Sequence, residues 1–254
     1  MTELLDKRKF YIDGKWVAPA AAHALDVIDP STEDPVAVIS VGGQADTDAA
    51  VAAAKRAFPS WSATPPAERL AYVEKILDIY KRRAPDMAWA ITHEMGAPSD
   101  MSAADQVESG TYHTQNFIDA FKSFEFVRPL GPQAPSTMIS WEPIGVVALI
   151  TPWNWPMNQV TLKVIPALLA GDTMVLKPSE IAPLSSMVFA EIVDEAGLPP
   201  GVFNLVNGDG EGVGTQLTVH PDVEMISFTG STRAGIAISR AAAAGTTKAA
   251  LELG

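Results

Sequence analysis

Gly145-Val146-Val147-Ala148-Leu149-Ile150-Thr151-Pro152-Trp153-Asn154-Trp155-Pro156-Met157 decides how this chain is read. It begins as an unbroken apolar run, the pattern of a strand buried on both faces. Pro152 cannot donate to a sheet ladder, so the strand stops there. Just beyond it one amide, Asn154, stands between two indoles, Trp153 and Trp155. In open α/β sheets, ligands sit outside the carboxyl ends of the strands. Asn154 is therefore a candidate site residue. The competing reading is a turn asparagine among packed tryptophans.

Toward the C-terminus the pattern alternates between strand and helix. Strands are predicted at Val146–Ile150, Thr173–Leu176, Val202–Val206, Met225–Phe228 and Ala249–Leu251. Helices are predicted at Asn158–Ala170, Pro183–Ala196, Glu211–Val219 and Arg233–Ala244, with Gly171 and Gly197 where helix ends need a left-handed residue. Five such units predict an α/β fold: a doubly wound, parallel, five-stranded Rossmann-like sheet with right-handed crossovers.

Toward the N-terminus, Lys9–Val17 reads as a hairpin turning at Asp13-Gly14. Two further strands are expected near Val27 and over Val36–Val41. A helix over Ala45–Phe58 is expected to end at Pro59. A second is expected to start from Thr64 as its cap, with Leu70, Val73, Ile76, Leu77 and Tyr80 on one face. Helices follow over Pro85–Met95, stopped by Gly96, and over Ala103–Phe124, amphipathic around Tyr112, Phe117, Ile118 and Phe121. Pro129–Pro135 breaks the pattern, and Thr137–Trp141 reads as an exposed strand of an arm. The predicted organisation is residues 1–127, the arm over 128–145, and the nucleotide-binding part over 146–254.

Composition narrows the function. The 254 residues are 47% hydrophobic, enough for a sizeable core, and the formal net charge is −12. That charge argues against a nucleic-acid partner. The chain has no cysteine, hence no disulfides and no thiolate chemistry of its own. Met1–Lys7 does not read as a signal peptide, and no apolar run reaches membrane-spanning length. A cytoplasmic protein without a membrane partner is the default expectation. The four histidines are scattered without metal-ligand spacing, so no metal site is expected.

Three more stretches carry chemistry. Phe228-Thr229-Gly230-Ser231-Thr232-Arg233-Ala234-Gly235 leaves a strand and opens a helix, where backbone N–H groups can hold a phosphate. Gly230 and Gly235 match the outer glycines of G-x-G-x-x-G, but Thr232 stands at the middle one. In Asn207–Gly214 no frame satisfies that fingerprint, and it reads as a flexible turn. In Lys177-Pro178-Ser179-Glu180, Glu180 is placed to accept from ribose hydroxyls and to repel a 2′-phosphate; the alternative is a solvated pair with Lys177. Glu252 follows an apolar strand, where a partly desolvated carboxylate suits general-base work. A plain surface charge is the other reading.

In this order the motifs Thr151–Pro156, Lys177–Glu180, Phe228–Thr232 and Leu251–Gly254, with Phe10–Trp16 and Trp141–Val146 upstream, resemble the NAD(P)-dependent aldehyde dehydrogenase superfamily over essentially the whole chain. In that family a cysteine attacks the aldehyde, hydride passes to the nicotinamide, and water hydrolyses the thioester. The resemblance implies that Asn154 donates to the developing oxyanion and that Glu252 activates the hydrolytic water. It implies NAD, with NADP less favoured, as cofactor. Ile150, Thr151 and Trp153 would line the cleft, Lys177 and Glu180 the adenine-side ribose, and Gly230 and Ser231 the pyrophosphate. Pro152, Ser179, Gly210, Phe228, Thr229 and Leu253 complete the candidate cofactor-binding set.

The family's cysteine lies beyond the Glu-Leu-Gly motif with which this sequence ends. By resemblance the sequence is thus the N-terminal half of such an enzyme, homo-oligomeric in its full-length form and acting on a small-molecule aldehyde. Its 254 residues alone are expected to be inactive. A non-catalytic nucleotide-binding or interaction module remains the alternative, as does a separately supplied C-terminal half.

Overall fold

The structure, a computed structural model, describes residues 4–254. Met1–Glu3, the start of the segment read as no signal peptide, lie outside them. In chain order come strands β1 (Leu5–Lys7), β2 (Phe10–Ile12), β3 (Lys15–Val17), β4 (Ala24–Ile28) and β5 (Pro35–Ser40). Helices α1 (Gln44–Ser62), α2 (Pro66–Arg82), α3 (Ala84–Met95) and α4 (Ser99–Met101) follow, then a π-turn over Ser102–Gln106 and α5 (Val107–Lys122). The arm is β6 (Val127–Pro129) paired antiparallel with β7 (Met138–Ser140). The last part runs β8 (Val146–Ile150), α6 (Pro156–Ala170), β9 (Thr173–Lys177), α7 (Leu184–Ala196), β10 (Phe203–Leu205), a π-turn over Gly210–Gly214, α8 (Thr215–Val219), β11 (Met225–Gly230), α9 (Thr232–Ala242) and β12 (Lys248–Leu253).

All five residues of β8 are buried, as its composition requires. The sheet order is β12-β11-β8-β9-β10-β2-β3. The five expected strands are mutually parallel. The N-terminal hairpin, turning at Asp13 and Gly14 with φ of 54° and 70°, adds two antiparallel strands through Leu205 opposite Tyr11. The sheet is thus seven-stranded and mixed. Pairing between residues nearly 200 positions apart leaves no local mark in a sequence. A separate three-stranded sheet, β1-β5-β4, lies alongside; the short β1 has no sequence signal.

Strand alternation divides the core in two. Val147 and Leu149 face one side with Met174, Leu176 and the inner faces of α6 and α7. Val146, Ala148 and Ile150 face the other, with Ala50, Val51 and Ala54 of α1 and Ile238 of α9. Helices on both faces are what make the inner strands continuously apolar.

Three boundaries differ from expectation. Pro59 lies inside α1, which runs on to Ser62. A proline near a helix end removes one hydrogen bond, and the fully buried Trp61 holds the last turn. Thr64 does not cap α2; its hydroxyl donates back to the Ser60 carbonyl, and Pro65 takes the cap position. The helix expected over Ala103–Phe124 opens instead with the π-turn over Ser102–Gln106, so regular α5 begins only at Val107. The buried stripe of α5 is Val107, Gly110, Thr114 and Ile118, whereas Tyr112 is 62% exposed.

Candidate active site

Topology defines one crevice. From β8 the chain proceeds through β9 and β10 on one side, then returns to place β11 and β12 on the other. The switch point therefore lies between β8 and β11, where doubly wound sheets hold ligands. Register levels the carboxyl ends. Ile150 is opposite both Lys177 and Phe228, and Phe228 is opposite Leu251. The segments leaving these residues carry most of the predicted site residues.

On β8, Ile150 and Thr151 are buried, and the Thr151 N–H donates to the Lys177 carbonyl at 3.2 Å. Pro152 is half-buried and Trp153 is 49% exposed. Asn154 is exposed, and its amide makes no hydrogen bond among the described residues, so its donors are free to serve a ligand. Pro156 opens α6, whose N-terminus places the positive end of a 15-residue helix beside Asn154. Met157, one residue on, is buried in the core.

Lys177 is not part of a solvated pair. It is 3% exposed, donates to the Pro178 carbonyl at 3.0 Å, and lies 3.3 Å from the Glu180 carboxylate. Burial pushes its pKa below the ordinary lysine value, while Glu180 and Asp209 pull it back. Glu180 is partly exposed and so can still accept from hydroxyls. Ser179 is buried and receives the Ile181 N–H at 3.3 Å, which shapes the turn.

At β11, Phe228 is buried and Gly230 lies against its ring; a Cβ on Gly230 would stand 2.5 Å from Phe228 Cζ. Ser231 caps α9 by accepting the Ala234 N–H at 3.3 Å. Its hydroxyl is therefore engaged in the turn, and an anion there would be met by the free N–H groups of the first turn. Gly235 packs against Leu253, whose side chain a Cβ would strike at 2.4 Å. That contact explains the glycine at the third fingerprint position. The hydroxyl of Thr229 is buried and has no partner among the described residues.

Glu252 is opposite Thr229 on the outermost strand and is exposed. The burial expected of it is absent, because β12 is the edge strand and α9 packs on its Leu253 side. Gly210 follows β10, on the other side of β8 and one strand beyond β9, at the start of a π-turn rather than in a loose loop. There Asp209 accepts the Gly212 N–H at 2.6 Å.

One residue escaped the sequence reading. Lys163 projects from α6, is 7% exposed, and donates to the Ser227 hydroxyl of β11 at 3.1 Å. Burial lowers its pKa to about 8, against the opposing pull of Glu252. A lone lysine in the apolar helix Val160–Ala170 was the available signal. An NMR titration of the Lys163 ε-carbon should give a midpoint of about 8. A midpoint at the ordinary 10.5 would contradict this burial.

The fold and crevice define a doubly wound nucleotide-binding protein with a free amide and a carboxylate beside the cleft. Comparison narrows the class. The model of the aldehyde dehydrogenase family matches residues 16–254, and the chain belongs to that family. It is 50% identical over 250 residues to a 3-succinoylsemialdehyde-pyridine dehydrogenase from a Pseudomonas species, covering 98% of this chain and 52% of that protein. Among solved structures, an aldehyde dehydrogenase from Bartonella henselae superimposes with a TM-score of 0.98 at 60% identity, over 99% of this chain and 53% of that one. An aldehyde dehydrogenase C mutant from Pseudomonas syringae, in complex with NAD+ and octanal, gives 0.94 at 48%, over 97% and 50%. The chain spans about half the length of the curated relatives it matches.

Proposed function

We propose that this chain is the cofactor-binding part of an NAD-dependent aldehyde dehydrogenase that oxidises a small-molecule aldehyde to a carboxylate. The observation that carries the proposal is the convergence of four segments at one sheet edge: the free Asn154 amide, the Lys177–Glu180 turn, the Gly230–Ser231 turn and Glu252. The residues fit a dinucleotide. A buried ammonium paired with a carboxylate suits the ribose end, and a glycine turn opening α9 suits the pyrophosphate.

When bound, NAD+ supplies the hydride acceptor. The protein's own residues do the rest. The Asn154 amide donates to the oxygen that gains charge when the aldehyde carbon is attacked. Trp153 and Trp155 flank Asn154 in the chain. Glu252 takes a proton from the water that releases the acid. Its exposure here fits a carboxylate that a further segment of the enzyme would cover. The attacking thiol must come from outside these 254 residues, which contain no cysteine. The NAD+ and octanal bound by the Pseudomonas syringae relative support the same cofactor and the same substrate class.

Calorimetry tests the reading. The 254-residue chain should bind NAD+, and Glu180→Gln should weaken binding about tenfold, the worth of one charge-assisted hydrogen bond. The chain alone should form no NADH from aldehydes. Binding that ignores Glu180→Gln would remove the ribose assignment, and NADH formation would refute the external thiol.

A further inference from the structure

Beside the Lys177–Glu180 turn lies the π-turn that opens at Gly210, and the cofactor reading gives its capping residue, Asp209, no role. Strands β9 and β10 are paired, with Leu176 opposite Leu205. The turns leaving them therefore lie side by side. The π-turn after β10 is held by Asp209, which receives the Gly212 N–H on its carboxylate and the Gly214 N–H on its carbonyl at 3.0 Å. This fixes Gly214 against the Lys177 stem: a Cβ on Gly214 would stand 4.0 Å from Lys177 Cδ. One buried ammonium is thus flanked by two carboxylates, Glu180 in contact and Asp209 within electrostatic range.

We propose that Asp209 is a second selectivity carboxylate, which together with Glu180 restricts this end of the cleft to an unphosphorylated ribose diol. The inference rests on the cofactor reading given above. Its argument is a charge count. One ammonium and two carboxylates already sum to one negative charge. A ribose diol is neutral and donates hydrogen bonds, which carboxylates accept. A 2′-phosphate adds roughly one and a half to two further negative charges. Lys177 cannot neutralise it without leaving Glu180 and Asp209 unpaired beside it. Asp209 is exposed, so solvent screens its share and sets a moderate effect.

The test is the ratio of dissociation constants for NADP+ and NAD+, measured by calorimetry on the 254-residue chain. Asp209→Asn keeps the oxygen that accepts from Gly212 and removes only the charge; Asp209→Ser is a second capping residue that does the same. Either variant should lower the ratio about fivefold, and combination with Glu180→Gln should lower it further by a similar factor. A ratio unchanged in both Asp209 variants, with NAD+ still bound by the parent, overturns this inference and leaves the cofactor reading standing. A parent chain that binds neither nucleotide overturns both.

Discussion

Gly201→Ala should destabilise the protein by about 3–4 kcal/mol. Two costs add. Gly201 has φ of +82°, a conformation that L side chains rarely adopt. A Cβ there would also stand 2.6 Å from the Ala53 carbonyl oxygen of α1, and that oxygen belongs to helix backbone and cannot move aside. The position is fixed from the other side as well. The buried Asn204 donates to the Gly201 carbonyl at 2.8 Å and to the Met174 carbonyl at 3.0 Å, and accepts the Asp13 N–H at 3.0 Å. One asparagine thus ties together the turn before β10, strand β9 and the N-terminal hairpin. Thermal unfolding should fall by about 10 °C at this chain length. Gly245→Ala is the control. It is exposed, has nothing within 4 Å of its added Cβ, and should change stability by less than about 1 kcal/mol. Equal melting temperatures for the two variants would refute the backbone contact.

The second large effect is a pH dependence centred on Glu94. Its side chain is 1% exposed and reaches the start of α7, where it accepts the Leu184 and Ser185 N–H groups. Helix α7 has no capping side chain of its own, so Glu94 of α3 caps it from a distance. Burial raises the Glu94 pKa to about 7 from 4.5, and the hydrogen bonds from Ser185 and Leu184 offset only part of this. The sign follows from proton binding. Between pH 4.5 and 7 the folded chain holds a proton that the unfolded chain has released, so stability falls as pH rises through that window and is level above it. The expected loss is about 3 kcal/mol. Glu94→Gln keeps an acceptor for the helix end and cannot ionise. Denaturant unfolding from pH 4.5 to 8 should therefore show the parent losing ground to the variant. Parallel curves would place the titration elsewhere.

Much of the fold was legible in the sequence because it is written locally. Continuous apolar runs marked the five parallel strands to within one or two residues at most ends. Gly96, Gly171 and Gly197 marked helix ends because only a residue without a Cβ takes the left-handed conformation cheaply, and all three have positive φ. The two misreadings at helix ends share one cause. Pro59 and Thr64 carry local signals for a helix end and a cap, and the packing of Trp61 outweighed them. Tyr112 precedes the buried Ile118 by six positions in the same regular helix, which on a 3.6-residue turn sets the two about 120° apart and turns Tyr112 to solvent.

Within the candidate site, Asn154, Lys177, Glu180 and Gly230 were proposed from residue type and motif spacing, since each stands at or shortly beyond the carboxyl end of a strand. The sequence by itself determined the parallel strands, the crevice at their carboxyl ends, and the lack of a thiol. Only the tertiary structure decided the surroundings of each group. It buried Lys177 and Lys163, left Glu252 exposed on the edge strand, brought the Asp209 turn beside Lys177, and spent the Ser231 hydroxyl on a helix cap. The reason is range. Strand burial and helix ends depend on neighbours a few positions away. The environment of a charge depends on which distant turns and strands lie against it, and that follows from strand order and register.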